Sequence, residues 1–248
     1  MRRWNGLAVG CSHGLAIRTE PLTTVPPPLL FVGPSGYDIE PALFTAAGVR
    51  LQPPVRRGDV QRQVDGGGPP GVLVIADGVF QAALAVGHAE LCAALDGGWQ
   101  VWGVSSLGAI RAHELRHEGM RGFGEVFATF GRCDDFTDDE LCLLHFPEPP
   151  WFPVSEALVN LRHALDSQGP SLGIAAAAGA AVVEGLRGLW FGERTHERIR
   201  ALLCERGGCS PAQANRLLSW LAANRLKTLD LQRLLRVRPW CDAPGRTP

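Results

Sequence analysis

The chain has 248 residues, enough for one sizeable α/β domain, or for a domain of about 150 residues with a helical appendix. It is 46% hydrophobic and 20% charged with a formal net charge of -1, so no global field draws it to a nucleic acid or an anionic membrane, and neither is expected as a partner. Its seven cysteines are scattered without a CxxC pair, and they read as reduced thiols of a cytoplasmic protein.

The basic start Met1-Arg2-Arg3-Trp4 leads into no continuous apolar run, so secretion is not expected. Residues 1–28 lack periodicity and end in Pro26-Pro27-Pro28, which suits an N-terminal arm and not a helix. Leu29-Leu30-Phe31-Val32 then reads as a buried strand ending in the turn Gly33-Pro34-Ser35-Gly36. The same grammar returns at Gly71–Ala76, which runs into Asp77-Gly78, and at Trp99–Val104, which runs into Ser105-Ser106. Apolar strands alternating with helices predict an α/β fold, a mostly parallel sheet with helices on both faces in Rossmann-like or flavodoxin-like layers. This core is expected over residues 29–150. Beyond Glu148-Pro149-Pro150 a helical C-terminal region over 151–248 is expected, with helices opened by Ser155, by Ser171 and by Ser210-Pro211. The most apolar stretch there, Ile174 to Val183, is half the roughly 20 residues a membrane span needs, and reads as a packing helix.

Ligands of open α/β sheets bind outside the carboxyl ends of the strands, so the three Gly-containing turns are the predicted site. Ser106 falls where a strand gives way to the helix Ala109–Leu115, a place where a hydroxyl projects into a cleft beside helix N–H groups. The strict nucleophile-elbow pattern fails, because Val104 stands where glycine belongs relative to Ser106, and both serines could simply cap the helix. Asp77 brings a carboxylate to the same rim, where it could orient a base, hold a cation or cap a helix. His88 reaches the rim only if its helix starts near residue 87, as Gly87 and the spacing of Leu91, Ala94 and Leu95 suggest. It could then deprotonate Ser106 or a water, or be a surface histidine.

Arg111 and Glu114 share a helix face as an ion pair, or leave Arg111 to grip an anion. Arg56 and Arg57 lie in the rigid turn Pro53–Asp59, and Asp138-Asp139-Glu140 starts a helix where acids oppose the dipole. His88 and Cys92 lack a second pair of ligands, so no metal is assigned. GxxxxGK[ST] does not occur, and no cofactor is expected. Of the 24 basic residues only Lys227 is a lysine, an arginine bias that a GC-rich coding sequence accounts for.

Taken in order, Phe31-Val32-Gly33-Pro34-Ser35, Pro53-Pro54-Val55-Arg56-Arg57-Gly58-Asp59, Asp77-Gly78-Val79-Phe80, His88-Ala89-Glu90, Gly103–Ala112, Glu114-Leu115, Gly119-Met120 and Asp138-Asp139-Glu140 resemble the TfuA family from about Leu29 to His145. Leu107 and Ile110 depart from the methionine and leucine more usual there. The resemblance implies work beside a YcaO-family enzyme, which uses ATP to activate a peptide amide so that sulfide replaces its oxygen. It implies as further partners a ThiS-like sulfur-carrier protein and a precursor peptide. Sulfide release from the carrier's thiocarboxylate would make Ser106 the nucleophile with His88 and Asp77 assisting. Ser105, Arg111, Gly33, Ser35, Arg57 and Glu90 would bind the substrate. The alternative is a non-catalytic activator or docking partner of the YcaO protein.

Overall fold

The computed structural model describes residues 26–79, 83–133 and 136–242. The expected arm, apart from Pro26-Pro27-Pro28, lies outside the described residues, as do Cys11 and Phe80. In chain order the elements are β1 (Leu29–Phe31), α1 (Pro41–Ala47), β2 (Arg50–Gln52), α2 (Asp59–Asp65), β3 (Val72–Ile75), α3 (His88–Asp96), β4 (Gln100–Gly103), α4 (Leu107–Glu114), β5 (Arg121–Gly122) and α5 (Glu125–Phe130). Then come α6 (Leu158–Gln168), α7 (Ala176–Arg187), α8 (His196–Glu205), α9 (Pro211–Ala223) and α10 (Leu226–Val237). The five strands form one parallel sheet in the order β2-β1-β3-β4-β5, so the predicted α/β class and parallel sheet are found. β2 and β5, three and two residues of weak apolar pattern at the edges, had no counterpart among the predicted strands.

The strands are apolar throughout because both faces are covered. Leu29, Phe31, Leu73, Ile75 and Val101 point to one layer, against Val60 of α2, Leu91 of α3 and Ile110 of α4. Leu30, Val32, Val72, Val74 and Trp102 point to the other, against Phe44 of α1 and Leu231, Leu234 and Leu235 of α10. The last helix of the chain therefore closes the sheet. Its three leucines at helical spacing are each 1% exposed or less, and each contributes about 2 kcal/mol of burial. Helices α6 to α9 form a separate apolar cluster around Leu161, Val182, Ile199 and Leu217. Among the described residues no helix is long and apolar enough to cross a membrane.

Two of the predicted helix entries need correction. Ser155 does not open α6; its Oγ accepts the Leu144 N–H at 2.7 Å, and Ala157 holds the cap position. Ser171 sits in a short 3-10 turn and donates to the Gln168 carbonyl, while α7 starts at Ala176. A serine hydroxyl caps only when its own backbone is the last non-helical residue, and in both cases the helix starts later. Ser210 does cap α9, with Gln213 completing the reciprocal pair.

α10 also carries Asp230, whose carboxylate accepts the Glu125 N–H at 3.0 Å and the Val126 N–H at 2.8 Å at the start of α5. Burial pushes this carboxyl up to about 6 in spite of those two bonds.

Candidate functional site

From β1 the chain steps outward to β2 and then returns across β1 to β3, which leaves a crevice between the carboxyl ends of β1 and β3. Asp77 stands in that crevice, 2% exposed. Its Oδ2 accepts the N–H groups of Gly33 at 2.8 Å and Ser35 at 3.0 Å, and its Oδ1 accepts the Ser35 hydroxyl at 2.7 Å. Gly33 and Ser35 thus hold Asp77, and Asp77 holds the β1 turn.

Beside it, the turn from β4 into α4 is unusually tight. A Cβ on Gly103 would collide with the Gly108 carbonyl, and one on Gly108 with the Ile75 carbonyl, so these two glycines let α4 start against the sheet backbone. Ser105 pays for the bend with φ +64, a conformation that costs a non-glycine residue about 1 kcal/mol. Neither serine caps α4. Ser105 Oγ donates to the Lys227 carbonyl at 2.7 Å, and Ser106, in the cap position, makes no side-chain cap bond.

Ser106 instead lines a cavity of about 620 Å³, together with Asp77, Arg56, Cys142, Trp151 and Lys227. Lys227 is the second residue of α10 and is 2% exposed, with Nζ donating to the Leu141 carbonyl at 2.9 Å. Burial lowers the pKa of its amine. The charges of Asp77 and Glu156 only partly oppose this, and Arg225 adds to it. The Cys142 thiol moves the other way. Burial raises it, with Asp139 and Asp138 adding and Lys227 and Arg194 opposing, so it stays a protonated thiol and a poor nucleophile. The cavity therefore presents an uncapped hydroxyl and an amine disposed to lose its proton. That pairing suits nucleophilic attack with the amine as base.

α3 begins at His88, as its spacing predicted. Glu90 reaches back to the Gly87 N–H at 2.9 Å, and its other oxygen takes the Gly58 N–H at 2.9 Å, so Glu90 is spent on structure. The His88 ring, however, meets Glu114 at 2.8 Å, and Glu114 also receives Arg111 at 2.6 Å. Glu114 is the last residue of α4, about 12 Å along the axis from Ser106 at 1.5 Å per residue. The structure brings Ser106 and Asp77 to one cavity and places His88, 53% exposed, in a second cluster with Glu114 and Arg111. Arg111 also donates to the Val86 carbonyl at 3.1 Å, and Arg57 to the Ala85 carbonyl at 3.4 Å, so both tie down the loop before α3. Ser105 is fully buried with its hydroxyl turned to Lys227.

Two residues of the acidic triplet pair with arginines. Asp139 pairs with the buried Arg194 at 2.5 Å, and Glu140 takes Arg162 and Arg187 at 2.7–2.9 Å. Among the described residues no three His, Cys, Asp or Glu side chains are gathered as for a metal.

Residues 77–195 match the family model of the TfuA-like proteins. Over that span the chain is similar to the TfuA-like proteins, which supports the TfuA resemblance. The match starts at Asp77 and ends beyond α7, so the TfuA-like span reaches some fifty residues past the segment on which the resemblance was read. It takes in Ser106, Cys142, Glu156 and Asn160. No curated protein matches the chain. Lys227 lies after the TfuA-like span, and sequence reasoning passed over it although one signal was there. In a chain whose other 23 lysine or arginine positions are all arginine, Lys227 alone carries an amine, which loses its proton when buried far more readily than a guanidinium does.

Proposed function

We propose that this protein works in the cytoplasm beside a YcaO-family enzyme in peptide-backbone thioamidation, releasing sulfide from a thiocarboxylated, ThiS-like sulfur-carrier protein. The TfuA-like span supports the pairing with YcaO and its precursor peptide. One observation carries the chemistry: Ser106 and the only lysine of the chain line the same cavity at the carboxyl rim of a parallel sheet.

Ser106 Oγ attacks the terminal thiocarboxylate carbon while the neutral Lys227 amine takes the hydroxyl proton. The Leu107 N–H, next in sequence to Ser106, stabilises the oxyanion, since the N–H groups of Gly108, Ala109 and Ile110 are bonded to the Ala76 and Ser106 carbonyls. The C–S bond breaks and sulfur leaves as hydrosulfide, carrying off the proton that Lys227 had taken. Water then opens the acyl-serine ester with Lys227 again as base, so thiocarboxylate and water become carboxylate, hydrosulfide and a proton. Asp77 keeps the β1 turn in place and sets a negative charge near Lys227. Incubating the protein with a thiocarboxylated carrier should release sulfide in many turnovers, and a Ser106→Ala variant that keeps the full rate would rule out this chemistry.

A second reading, a docking partner that activates the YcaO protein, is favoured by the apolar side chains around the cavity mouth. Leu144 and Trp190 line it and are 37% and 53% exposed, and Phe146 and Phe152 stand beside Leu144 on the same segment at 57% and 45%. Full activation of the YcaO enzyme by the Ser106→Ala variant, at a one-to-one ratio, is the outcome that would support it.

A further inference from the structure

Lys227 is held by three segments of the chain. Its Nζ donates to the Leu141 carbonyl, its backbone N–H donates to Asn160 Oδ1 at 3.2 Å, and its carbonyl accepts the Ser105 hydroxyl at 2.7 Å. The last two contacts fix the main chain of the residue, from opposite sides, and leave the amine free to act. Both come from side chains with no exposed surface to speak of, Ser105 at 0% and Asn160 at 1%. Burying a hydroxyl and an amide this fully is unfavourable unless their bonds are made, and an apolar side chain would fill either place at lower cost. Ser105 is doubly out of place as a mere turn residue, since glycine adopts φ +64 without strain. What the serine adds is the bond to Lys227.

Asn160 is itself anchored. Its Nδ2 donates to Glu156 Oε1 at 2.7 Å, and Glu156 Oε2 takes Arg225 Nε at 2.9 Å, which closes a ring of contacts around the first turn of α10. The charged and titratable groups around the amine are Asp77 after β3, Cys142 ahead of α6, Glu156 at the entry to α6 and Arg225 on the segment leading into α10.

We propose that Ser105 and Asn160 are positioning residues that act through Lys227, fixing the start of α10 so that the amine meets Ser106 from one direction and stays out of water. This rests on the reading of Ser106 and Lys227 as nucleophile and base. With either clamp gone, the first turn of α10 shifts, water reaches the amine, and its proton is held more firmly.

Because the chain has a single lysine, labelling with 13C-lysine gives one side-chain signal whose titration follows Lys227 directly, with no need for turnover. The variants are Ser105→Gly, which suits the positive φ and removes only the hydroxyl, Ser105→Ala and Asn160→Ala. We expect kcat for sulfide release from the thiocarboxylated carrier to fall about ten- to a hundredfold with KM within about twofold, as displacing a catalytic group does. The Lys227 titration midpoint should move up towards that of free lysine, carrying the acidic limb of the kcat profile with it. Wild-type kcat with an unmoved midpoint in Ser105→Gly and Asn160→Ala overturns the proposal, and so does a rise in KM at constant kcat. Should the wild-type protein release no sulfide at all, the hydrolase reading fails by itself. The lysine signal then still decides the clamp, which an unmoved midpoint in all three variants refutes.

Discussion

Helix α4 has a polar cluster at each end, and the two differ in their access to water. At its N-terminus Ser106 shares a cavity with the buried Asp77 and Lys227, where desolvation alters an amine's proton affinity. At its C-terminus Glu114 joins Arg111 and a half-exposed His88 in an ion-pair cluster that solvent screens. A histidine and a carboxylate in contact look more like catalytic machinery than a serine and a lysine do. Burial reverses that ranking.

The sharpest way to break the comparison is to remove the two reacting groups of the buried end. Lys227→Met, close in volume, and Ser106→Ala should each lower sulfide release at least about a thousandfold while the protein still unfolds cooperatively. A Lys227→Met variant with wild-type turnover would take the base away from this cluster. Next comes Asp77→Asn. An amide presents an NH2 group where three donors already converge, so we expect a loss of about 3 kcal/mol in chemical denaturation. It should also lower the Lys227 titration midpoint, because the Asp77 charge favours the protonated amine.

Asp230, three residues after Lys227 on α10, sharpens the same contrast. Its carboxyl titrates near 6 in the folded chain and near 3.8 unfolded, so the native state binds the extra proton between those values. Stability from this group is complete below about pH 4 and is lost as pH rises through 6. Asp230→Asn should therefore be more stabilising, or less destabilising, at pH 7 than at pH 4 by about 2 kcal/mol, read from urea unfolding at the two pH values. Equal effects at both would contradict the burial argument.

Much of this architecture was legible in the sequence because its signals are local. Apolar runs ending in Gly-Pro-Ser, Asp-Gly and Ser-Ser located β1, β3 and β4 and the rim they share, and Gly87 with the spacing of Leu91 and Leu95 located the start of α3. Edge strands β2 and β5 escaped because only one side of each is paired and their residues are half-exposed. The role of Lys227 was hidden for a different reason. It arrives from α10, more than a hundred residues after Ser106, and only the leucines of that helix packing onto Val74 and Trp102 bring it to the rim. Sequence spacing carries no trace of such a contact. The pairing of His88 with Glu114 was equally out of reach, since a histidine at the first turn of α3 can lean towards the cavity or away from it.

The smallest expected effect tests that last point. Burial pushes Glu114 up, but the bonds and charges of His88 and Arg111 outweigh it and hold its carboxyl below the usual value. The stability this lends is present above the unfolded carboxyl's pKa and lost as pH falls through the folded one. In His88→Ala the Arg111 bond remains, and an exposed pair contributes little, so at pH 7 stability should drop by less than about 1 kcal/mol. Sulfide release should stay within about twofold of wild type, measured beside Lys227→Met under the same conditions. If His88→Ala were the inactive variant and Lys227→Met the active one, the exposed end of α4 would hold the chemistry. The buried lysine would then be only a packing residue tied to Leu141.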